Sequence, residues 1–517
     1  MKTSRLPAGP SRRGSGPRAA TAWLLAFIGC MAGLTAQAQE GRSGQVSWSA
    51  TVGAQLSYVV DSRNGGLKGG VLDLVSEVRP GLQFSSRSGR IVGSLDYSLG
   101  LTHHTQDYDG ERVQNRLNAN LSAEAVERWM YVDATASVSQ QTASAFGQQS
   151  AAGSTQDNAN RIEIANASIS PYVRGVLGSA VNYEARLNAS ATNGRRSKAA
   201  DSSQTGGSVT LSQAVGGTLV GWALVASTQT SDFRLGRATQ NDRYSASLSF
   251  TPDADLSFAL RGGQESTNVA DVQKTTYNNW GAGLTWRPSP RTSARLDTDE
   301  RYFGRSYRVL LDHRLASSSL QFSSSRDSSN SADPSGAGQR ITLYQVFFSQ
   351  FASIEPDPNL RDTLVRSFLK AQGLDPDLVV SGGFVNTAIT VVERHQLTLS
   401  YAGQRMAGSL QAFASTSRII DAAATVAAPD DIRQWGYVAT ASYRLDSTAS
   451  LALTGSRLLT QGTSTQGGTE LKSLSLSYGD QLARRTSLSL SARYSVFNST
   501  LIPYREAAVS ASLSQRF

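Results

Sequence analysis

Histidine is the side chain best suited to acid–base chemistry near neutral pH, and the chain has four histidines. His103 and His104 are adjacent, and the segment HHTQDYDGE places Asp107, Asp109 and Glu111 close behind them. Imidazole and carboxylate groups at such spacing can hold a metal ion or activate a water molecule. A solvated loop explains the same charge run, and we favour that interpretation. Since phosphate-loop, dinucleotide and zinc motifs are also absent, we predict that the chain is not an enzyme and has no catalytic, cofactor or metal site.

A second set of charged residues recurs at every other position of the sequence. These residues are Arg295, Asp297, Asp299 and Arg301 in one segment, and Glu184 and Arg186 in another. The residues between them include Ala185, Leu187 and Leu296, which are apolar. Because the side chains of a β-strand point alternately to its two faces, each segment predicts a strand with one charged and one apolar face.

Alternation of this kind runs through nearly the whole chain. From Val46 to Tyr58 every second residue is apolar, and the residues between are polar or glycine, which predicts a strand of about a dozen residues. The period recurs up to the last segment, VSASLSQRF. Many of these strands have Trp or Tyr near one end of the apolar row, where an amphipathic ring suits a membrane interface. The pattern is typical of membrane-spanning β-strands.

The connections between the strands alternate in length. Short ones are 85–89, 126–128, 251–255, 287–291 and 445–449, and longer polar ones are 103–115, 141–160, 192–207, 265–275, 418–433 and 460–471. Outer-membrane barrels have short periplasmic turns and long extracellular loops. We predict an all-β protein, a transmembrane antiparallel β-barrel of about 22 strands, or about 24 if 384–401 is a hairpin instead of one strand. Pro80 fits this scheme least well, since proline cannot donate a hydrogen bond to a sheet.

A closed barrel also explains the last strand and the direction of the charged rows. With no sheet edge left in the bilayer, the last strand must pair with the first, and we assign Leu513 and Phe517 to closure and to recognition by the barrel-assembly machinery. Arginine facing lipid near the midplane costs about 2–4 kcal/mol, so the rows at 184–186 and 295–301 are predicted to line the lumen. Mixed charge suits passage of water, sugars or a weakly charged polymer. Alternatively, the charges only satisfy one another across a solvated wall.

Residues 1–38 have the pattern of a secretory signal peptide. Five cationic residues precede the apolar run AWLLAFIGCMAGL, which is followed by TAQA. The mature chain, 39–517, would lack cysteine, because the single cysteine is Cys30. Lys plus Arg falls from 49 to 44 against 40 Asp plus Glu, so the mature net charge is about +4 and does not indicate nucleic-acid binding. No later apolar run approaches the roughly 20 residues of a membrane helix.

The two-residue period is interrupted between residues 339 and 383. Apolar residues there follow helical spacing in two stripes, Leu343, Val346, Phe347, Phe351 and Ile354, and then Leu360, Leu364, Phe368 and Leu369. Asp357 and Pro358 can start the second helix, and Gly373 can end it. We predict a helical insertion over 327–383 that serves as a lumen plug or gate, docks a partner, or caps the barrel rim.

Several segments, in this order, resemble the PEP-CTERM system-associated outer-membrane β-barrel family. They are VDATASVSQQTASAFG, SPYVRGVLGSAVNYEARL, LTWRPSPRTSARL, RYFGRSYRVLLDHR, and SIEPDPNLRDTLVRSFLKAQGL followed by GGF. The resemblance implies a protein of the Gram-negative outer membrane that is encoded beside exopolysaccharide production and a protein-sorting system. It implies no reaction and no ligand-binding residues.

Two functional hypotheses follow. The first is a porin-like channel or accessory factor for exopolysaccharide export, in which the helical insertion is a gate or docking element. The second is a non-conducting structural or adhesion barrel whose loops anchor extracellular polymer or sorted surface proteins. Under either hypothesis the protein is secreted across the inner membrane to the cell outer membrane, and its partners are outer-membrane lipid, the barrel-assembly machinery, polysaccharide and export proteins, with no nucleic acid.

Overall fold

The computed structural model describes most of the chain after residue 44. The described residues are 45–61, 71–105, 113–154, 158–195, 198–213, 219–234, 236–329, 343–353, 355, 358–372, 374, 383–385, 388–420 and 431–516. The predicted signal peptide, the carboxylates at 107, 109 and 111, and Phe517 lie outside them.

Most described residues belong to 22 β-strands. In chain order they are β1 Gln45–Asp61, β2 Val71–Ser88, β3 Ile91–His104, β4 Val113–Val126, β5 Met130–Thr142, β6 Arg161–Leu177, β7 Val181–Arg195, β8 Ser202–Gln213, β9 Val220–Phe233, β10 Ala238–Asp253, β11 Leu256–Thr267, β12 Thr275–Ser289, β13 Thr292–Arg301, β14 Gly304–Arg314, β15 Ser318–Ser329, β16 Thr390–Ala402, β17 Met406–Ile419, β18 Ile432–Arg444, β19 Ala449–Thr460, β20 Thr469–Ala483, β21 Thr486–Ser499 and β22 Tyr504–Arg516.

Each strand pairs antiparallel with the next, and β22 pairs with β1, so the sheet closes into one barrel. Leu513 lies opposite Val52 across the closing seam. The predicted antiparallel barrel and its 22 strands are confirmed. The alternative of 24 strands is wrong, because the segment 384–401 contributes one strand that begins at Thr390. A continuous ladder leaves no strand edge for lipid to meet, which is why the closing pair extends over most of both strands.

Most connections alternate in length around the barrel and define its two ends, although the connection 302–303 at the long-loop end is as short as the turns opposite. We call the end with turns such as Gly89–Arg90 and Pro290–Arg291 the short-turn end, and the opposite end the long-loop end. At the long-loop end the strands extend further than the sequence predicts, and β7 and β11 run to Arg195 and Thr267. Pro80 lies within β2 and pairs with Ala50, while the pairing of β2 with β3 is interrupted beside it, as expected for a residue with no N–H.

Large apolar side chains are exposed on the outer surface of the barrel. On β12, Trp280 and Trp286 are exposed at the two ends of the outer row, and on β10 Tyr244 and Phe250 are placed in the same way. Exposed apolar side chains between two aromatic rims are what acyl chains and lipid headgroups stabilise in a membrane barrel. The outer surface is therefore built for lipid.

Substituting Leu248 with arginine tests this assignment. Leu248 is 62% exposed on the outer face of β10, and the next residue, Ser249, faces the lumen. We expect Leu248→Arg to lower the free energy of unfolding in lipid vesicles by about 2–4 kcal/mol, since arginine is costly near the midplane. Urea unfolding in vesicles measures the change, and Ser249→Arg is the control that stays near wild type. Equal losses in both variants would contradict the assignment of faces.

Two helices lie between β15 and β16: α1 is Leu343–Gln350 and α2 is Pro358–Ala371, with a 3₁₀ turn, Phe351–Ser353, after α1. Their positions agree with the helical periodicity, but the face predicted for α2 is partly wrong. Val365 and Leu369 are the fully buried residues of α2, whereas Leu360 and Leu364 are exposed. The helices are too short to bury every apolar position against one partner. No helix in the described part of the chain has the length and apolarity to cross a bilayer.

Candidate functional site

The interior of the barrel contains most of the charged residues singled out in the sequence. On β13, Asp297 and Asp299 face the lumen, and Arg261 of β11 binds both carboxylates at 3.0 and 2.9 Å. Arg295 binds Asp297 from the other side at 2.7 Å. Sequence reasoning missed Arg261, although it alternates with the apolar Phe258 and Leu260 of its own strand.

Glycine on the intervening strand makes this bridge possible. Arg261 and the two aspartates lie on β11 and β13, so they meet across β12. A Cβ atom at Gly281 would come within 2.0 Å of an Asp299 carboxylate oxygen, and one at Gly283 within 2.9 Å of Asp297. The charged side chains of β11 and β13 therefore occupy the space that any side chain at Gly281 or Gly283 would need.

Arg301 belongs to a neighbouring network at the long-loop end of the same wall. Its guanidinium contacts Glu265 at 2.6 Å and Asp327 at 2.8 Å, and Glu265 is fully buried. Asn241 donates a further hydrogen bond to Glu265 at 2.9 Å. Glu265 lay within a predicted loop, at 265–275, and the extension of β11 to Thr267 places it on the wall instead.

Glu184 and Arg186 lie on another wall, formed by β5 to β7. Arg186 contacts Asp133 at 2.9 Å and Glu184 at 3.1 Å, and it stacks over the ring of Tyr172 at 3.8 Å. Tyr131 stacks on the opposite side of that ring, with centroids 5.2 Å apart. The six charged residues named from the sequence therefore do not form one site.

Each network combines charges of both signs. Arg261 and Arg295 face two aspartates, and Arg186 faces Asp133 and Glu184. Networks of this kind hold their side chains against the wall and produce no ring of one sign, which an ion-selective pore requires. The interior is a polar surface of mixed charge.

One long loop, 143–160, crosses the long-loop end of the barrel. It connects β5 to β6, yet its contacts are with β20 to β22. Tyr504 donates to the carbonyl of Gln149 at 2.6 Å, and Thr469 donates to the carbonyl of Ala145 at 3.3 Å. Gly153 turns the loop with a φ of +75°, which favours glycine. The loop therefore lies over the lumen.

A buried ion pair anchors this loop. Glu506 of β22 is fully buried and accepts a hydrogen bond from Arg493 of β21 at 2.8 Å. The same carboxylate accepts hydrogen bonds from Ser154 of the loop at 3.1 Å and from Ser495 at 3.2 Å. Glu506 thus accepts hydrogen bonds from both the loop and the wall and joins the two, which offsets the cost of burying its charge.

An apolar cluster covers another part of the long-loop end. Its buried members are Ile162, Ile164, Ala200, Phe233, Val269, Tyr302, Val385 and Ile389. They come from the ends of β6 and β9 and from four connections, all at the long-loop end. Below these covers the wall of β3 and β4 is exposed, with Asn118 and Asn120 facing open space. The described loops therefore cover parts of the long-loop mouth, and the interior beneath is partly open.

The helices enter from the long-loop end but rest near the short-turn end. Gln350 of α1 donates to the carbonyl of Ser317, in the turn between β14 and β15, at 3.1 Å. After α2, Gln372 accepts a hydrogen bond from Ser442, near the short-turn end of β18, at 3.0 Å. Ser442 alternates with the exposed Tyr443, so it lies on the lumen face. The two helices therefore lie inside the barrel near its short-turn end.

The two helices pack mainly on each other. Their shared core consists of Leu343, Phe347, Phe351, Val365, Leu369 and Leu374. The barrel wall adds only small side chains, Ala407 and Ala452, with Ala402 beside them. The apolar core therefore consists mainly of helix side chains, and the wall contributes only methyl groups to it.

Polar contacts add rigidity within the helix pair. Tyr344 donates to the carboxylate of Asp362 at 2.6 Å, and Arg366 binds the same carboxylate at 2.8 Å while stacking over the Tyr344 ring. Burial, together with the nearby Asp362 carboxylate, raises the pKa of Tyr344 well above its ordinary value. The hydroxyl therefore remains a donor, and the pair can act as one unit.

The two adjacent histidines lie on a strand and not in the predicted loop, whose residues 106–112 lie outside the described ones. His103 and His104 are the last residues of β3, and His104 faces the lumen, where its Nδ1 lies 2.7 Å from Asp73 of β2. Among the described residues no group of three or more His, Cys, Asp or Glu is placed to hold a metal ion. The sequence does not single out Asp73, because it lies at the start of β2 and the histidines lie at the end of β3.

No family model and no curated protein matches the chain. Solved structures with a similar shape include the FrpB iron transporter from Neisseria meningitidis (F5-1 variant), at 10% identity and a TM-score of 0.48, covering 91% of this chain and 82% of that one. The siderophore receptor PirA from Pseudomonas aeruginosa is similar at 12% identity and a TM-score of 0.36, covering 93% and 81%. The outer membrane protein OpdK from the same species is similar at 9% identity and 0.34, covering 91% and 99%.

The decisive features are in the barrel itself. Its sheet is closed, its outer surface is apolar between aromatic rims, and short turns alternate with long loops. The chain is an outer-membrane β-barrel. In that setting the short-turn end faces the periplasm and the long-loop end faces the cell exterior.

Proposed function

We propose that this outer-membrane barrel is a channel whose helical insertion is the gate, and that it serves exopolysaccharide export as the conduit or an accessory factor. The observation that carries the proposal is the position of α1 and α2, which lie inside the lumen at its periplasmic mouth, where the wall adds only alanines to their apolar core. A segment outside the strand ladder can move without breaking the sheet.

The chemistry of the interior supports a neutral or weakly charged polymer as cargo. The wall networks pair charges of both signs, and the exposed wall of β3 and β4 offers amides and hydroxyls that can replace water around a sugar. The assignment to exopolysaccharide derives from the resemblance to the PEP-CTERM-associated barrels, which also makes export proteins its expected partners.

A second candidate is a non-conducting barrel that anchors polymer or sorted proteins at the cell surface. It is favoured by the loop 143–160 and the apolar cluster, which cover the exterior mouth. The two candidates differ in whether the lumen ever opens.

Locking the gate tests the proposal. The predicted mature chain lacks cysteine, so Gln372→Cys/Ser442→Cys places one reactive pair where the side chains touch at 3.0 Å. In planar bilayers we expect the double-cysteine variant to open under applied voltage before it is cross-linked. A short bismaleimide cross-linker should reduce the openings about tenfold or more. Ser442→Cys alone is the control that the reagent leaves unchanged.

The outcomes separate the candidates. A protein that never opens, coupled or uncoupled, would support the non-conducting barrel. Openings that persist after coupling would show that the helices are not the gate. In the source bacterium, locking the pair should lower the exopolysaccharide released to the medium, and unchanged release would remove that cargo from the proposal.

A further inference from the structure

Cationic side chains form a row on the outer surface of the barrel near its exterior end. Arg457 of β19 lies directly opposite Lys472 of β20, Lys472 lies opposite Val496 of β21, and Val496 lies opposite Arg505 of β22. With neighbouring strands about 4.8 Å apart, the three cations span roughly 15 Å along one line around the barrel.

These side chains face outward and not into the lumen. Lys472 is next to the buried Leu471 and shares its face with the exposed Leu474. Arg505 is next to the buried Glu506 and shares its face with Val509. Each lies within a few residues of the long-loop end of its strand. The row therefore stands where the outer-leaflet headgroups meet the barrel.

An apolar surface begins directly below the row. The next outward positions toward the periplasm are Leu474, Tyr494 and Ala507, followed by Leu476, Ala492 and Val509. Leu474, Tyr494 and Val509 are each at least half exposed, at 53%, 50% and 62%. Cations above exposed apolar side chains match a molecule with anionic groups above acyl chains.

The row keeps a positive excess after its own ion pairs are formed. Glu470 is the carboxylate beside it, and it contacts Arg457 at 2.6 Å and Lys472 at 3.0 Å. Arg457 also stacks over the ring of Trp435 at 4.8 Å, which fixes the guanidinium at the interface. One carboxylate against three cations leaves two positive charges for a ligand.

The geometry points to a binding site for lipopolysaccharide, the phosphorylated glycolipid of the outer leaflet. We propose that Arg457, Lys472 and Arg505 bind its lipid A phosphates, while Leu474, Tyr494 and Val509 contact its acyl chains. Guanidinium and ammonium groups form charge-assisted hydrogen bonds to phosphate, and a lipid with two phosphates matches the remaining charge. The site is independent of the lumen and of any transport.

The test is lipid retention by the purified full-length barrel in detergent, measured by native mass spectrometry with bisphosphoryl lipid A as the probe. We expect Arg457→Gln/Lys472→Gln/Arg505→Gln to weaken retention about tenfold or more, since three charge-assisted contacts are lost. Monophosphoryl lipid A should bind wild type more weakly than the bisphosphoryl form, and phosphatidylglycerol more weakly still.

A matched control removes three cations from the other side of the same end. Arg195→Gln/Arg234→Gln/Lys274→Gln should retain lipid A, because each of these residues is paired with its own carboxylate, on Glu163, Asp201 and Asp242. The single variant Arg505→Gln breaks none of the described ion pairs, and its lipid A retention should fall severalfold. It keeps the test valid if the triple variant misfolds. Equal lipid A retention by wild type and the first triple variant would overturn the proposal, as would an equal loss in the control. If inorganic phosphate displaced lipid A completely, the ligand of the site would be a free anion and not the lipid.

Discussion

Removing the two lumen helices is expected to raise the conductance of each inserted barrel by about tenfold or more, because 22-stranded barrels without a plug enclose a wide aqueous lumen. Residues 332–382 would be replaced by a short glycine–serine linker, which leaves β15, β16 and Val385 of the apolar cluster in place. The helices form their own core, and the wall adds only alanines to it, so the strand ladder should close without them. Single-channel recording in planar bilayers measures the change.

Two point substitutions on α2, one at a buried and one at an exposed leucine, test the same idea without a deletion. Leu369 is fully buried in the helix pair, whereas Leu364 is exposed on the same helix. Leu369→Ala should cost the helix packing about 2–5 kcal/mol and increase the open fraction, while Leu364→Ala should leave recordings like wild type. A deletion variant that migrates as a folded barrel on unheated gels and still stays closed would refute the gate.

Breaking the buried pair of Glu506 and Arg493 is expected to have the largest effect on stability. Glu506→Ala leaves the Arg493 guanidinium, which is 8% exposed, without its carboxylate and removes the acceptor of Ser154. Loss of one partner of a buried pair typically costs about 3–5 kcal/mol, because the remaining charge is uncompensated. We expect a lower unfolding temperature and new proteinase K cleavage within 143–154.

The double variant separates charge burial from loop contact. Arg493→Ala/Glu506→Ala leaves no unpaired charge, so its unfolding temperature should lie above that of either single variant. The loop should still be cleaved, since its anchor is gone. Additive losses in the double variant would show that the two residues act separately and that the ion pair does not hold the loop.

The strands could be predicted from the sequence because lipid imposes one rule on every strand. An outward position must be apolar wherever it meets acyl chains, and this is visible in residues such as Leu248 and Trp280 without knowledge of their neighbours. Strand ends at the exterior were less predictable. Outside the lipid both faces of a strand contact water, so the alternation of apolar and polar residues stops before the strand does. The ends of β11, at Glu265, and of β7, at Arg195, are examples.

Prediction of the contacts inside the barrel requires the pairing register of the strands as well as the alternation of residue types. The mixed rows at Asp297 and Arg186 can be read from alternation, but their partners Arg261 and Asp133 lie on other strands. Likewise the sequence predicts that α1 and α2 are helices, yet their resting place depends on Gln350 and Gln372, whose partners are distant in the chain. Long-range hydrogen bonds leave no local periodicity.

The central claim is that the helices rest inside the barrel at its periplasmic mouth. Its most direct test is electron–electron double resonance in nanodiscs, with one spin label at Ser367→Cys on α2 and a second at either Ser447→Cys, in the turn between β18 and β19, or Ser464→Cys, in the loop between β19 and β20. The 12 residues of β19 separate the two reference points by roughly 40 Å along the strand. We predict that the label on α2 is much nearer to 447 than to 464. A distance distribution with the opposite order would place the helices at the exterior rim and contradict the account.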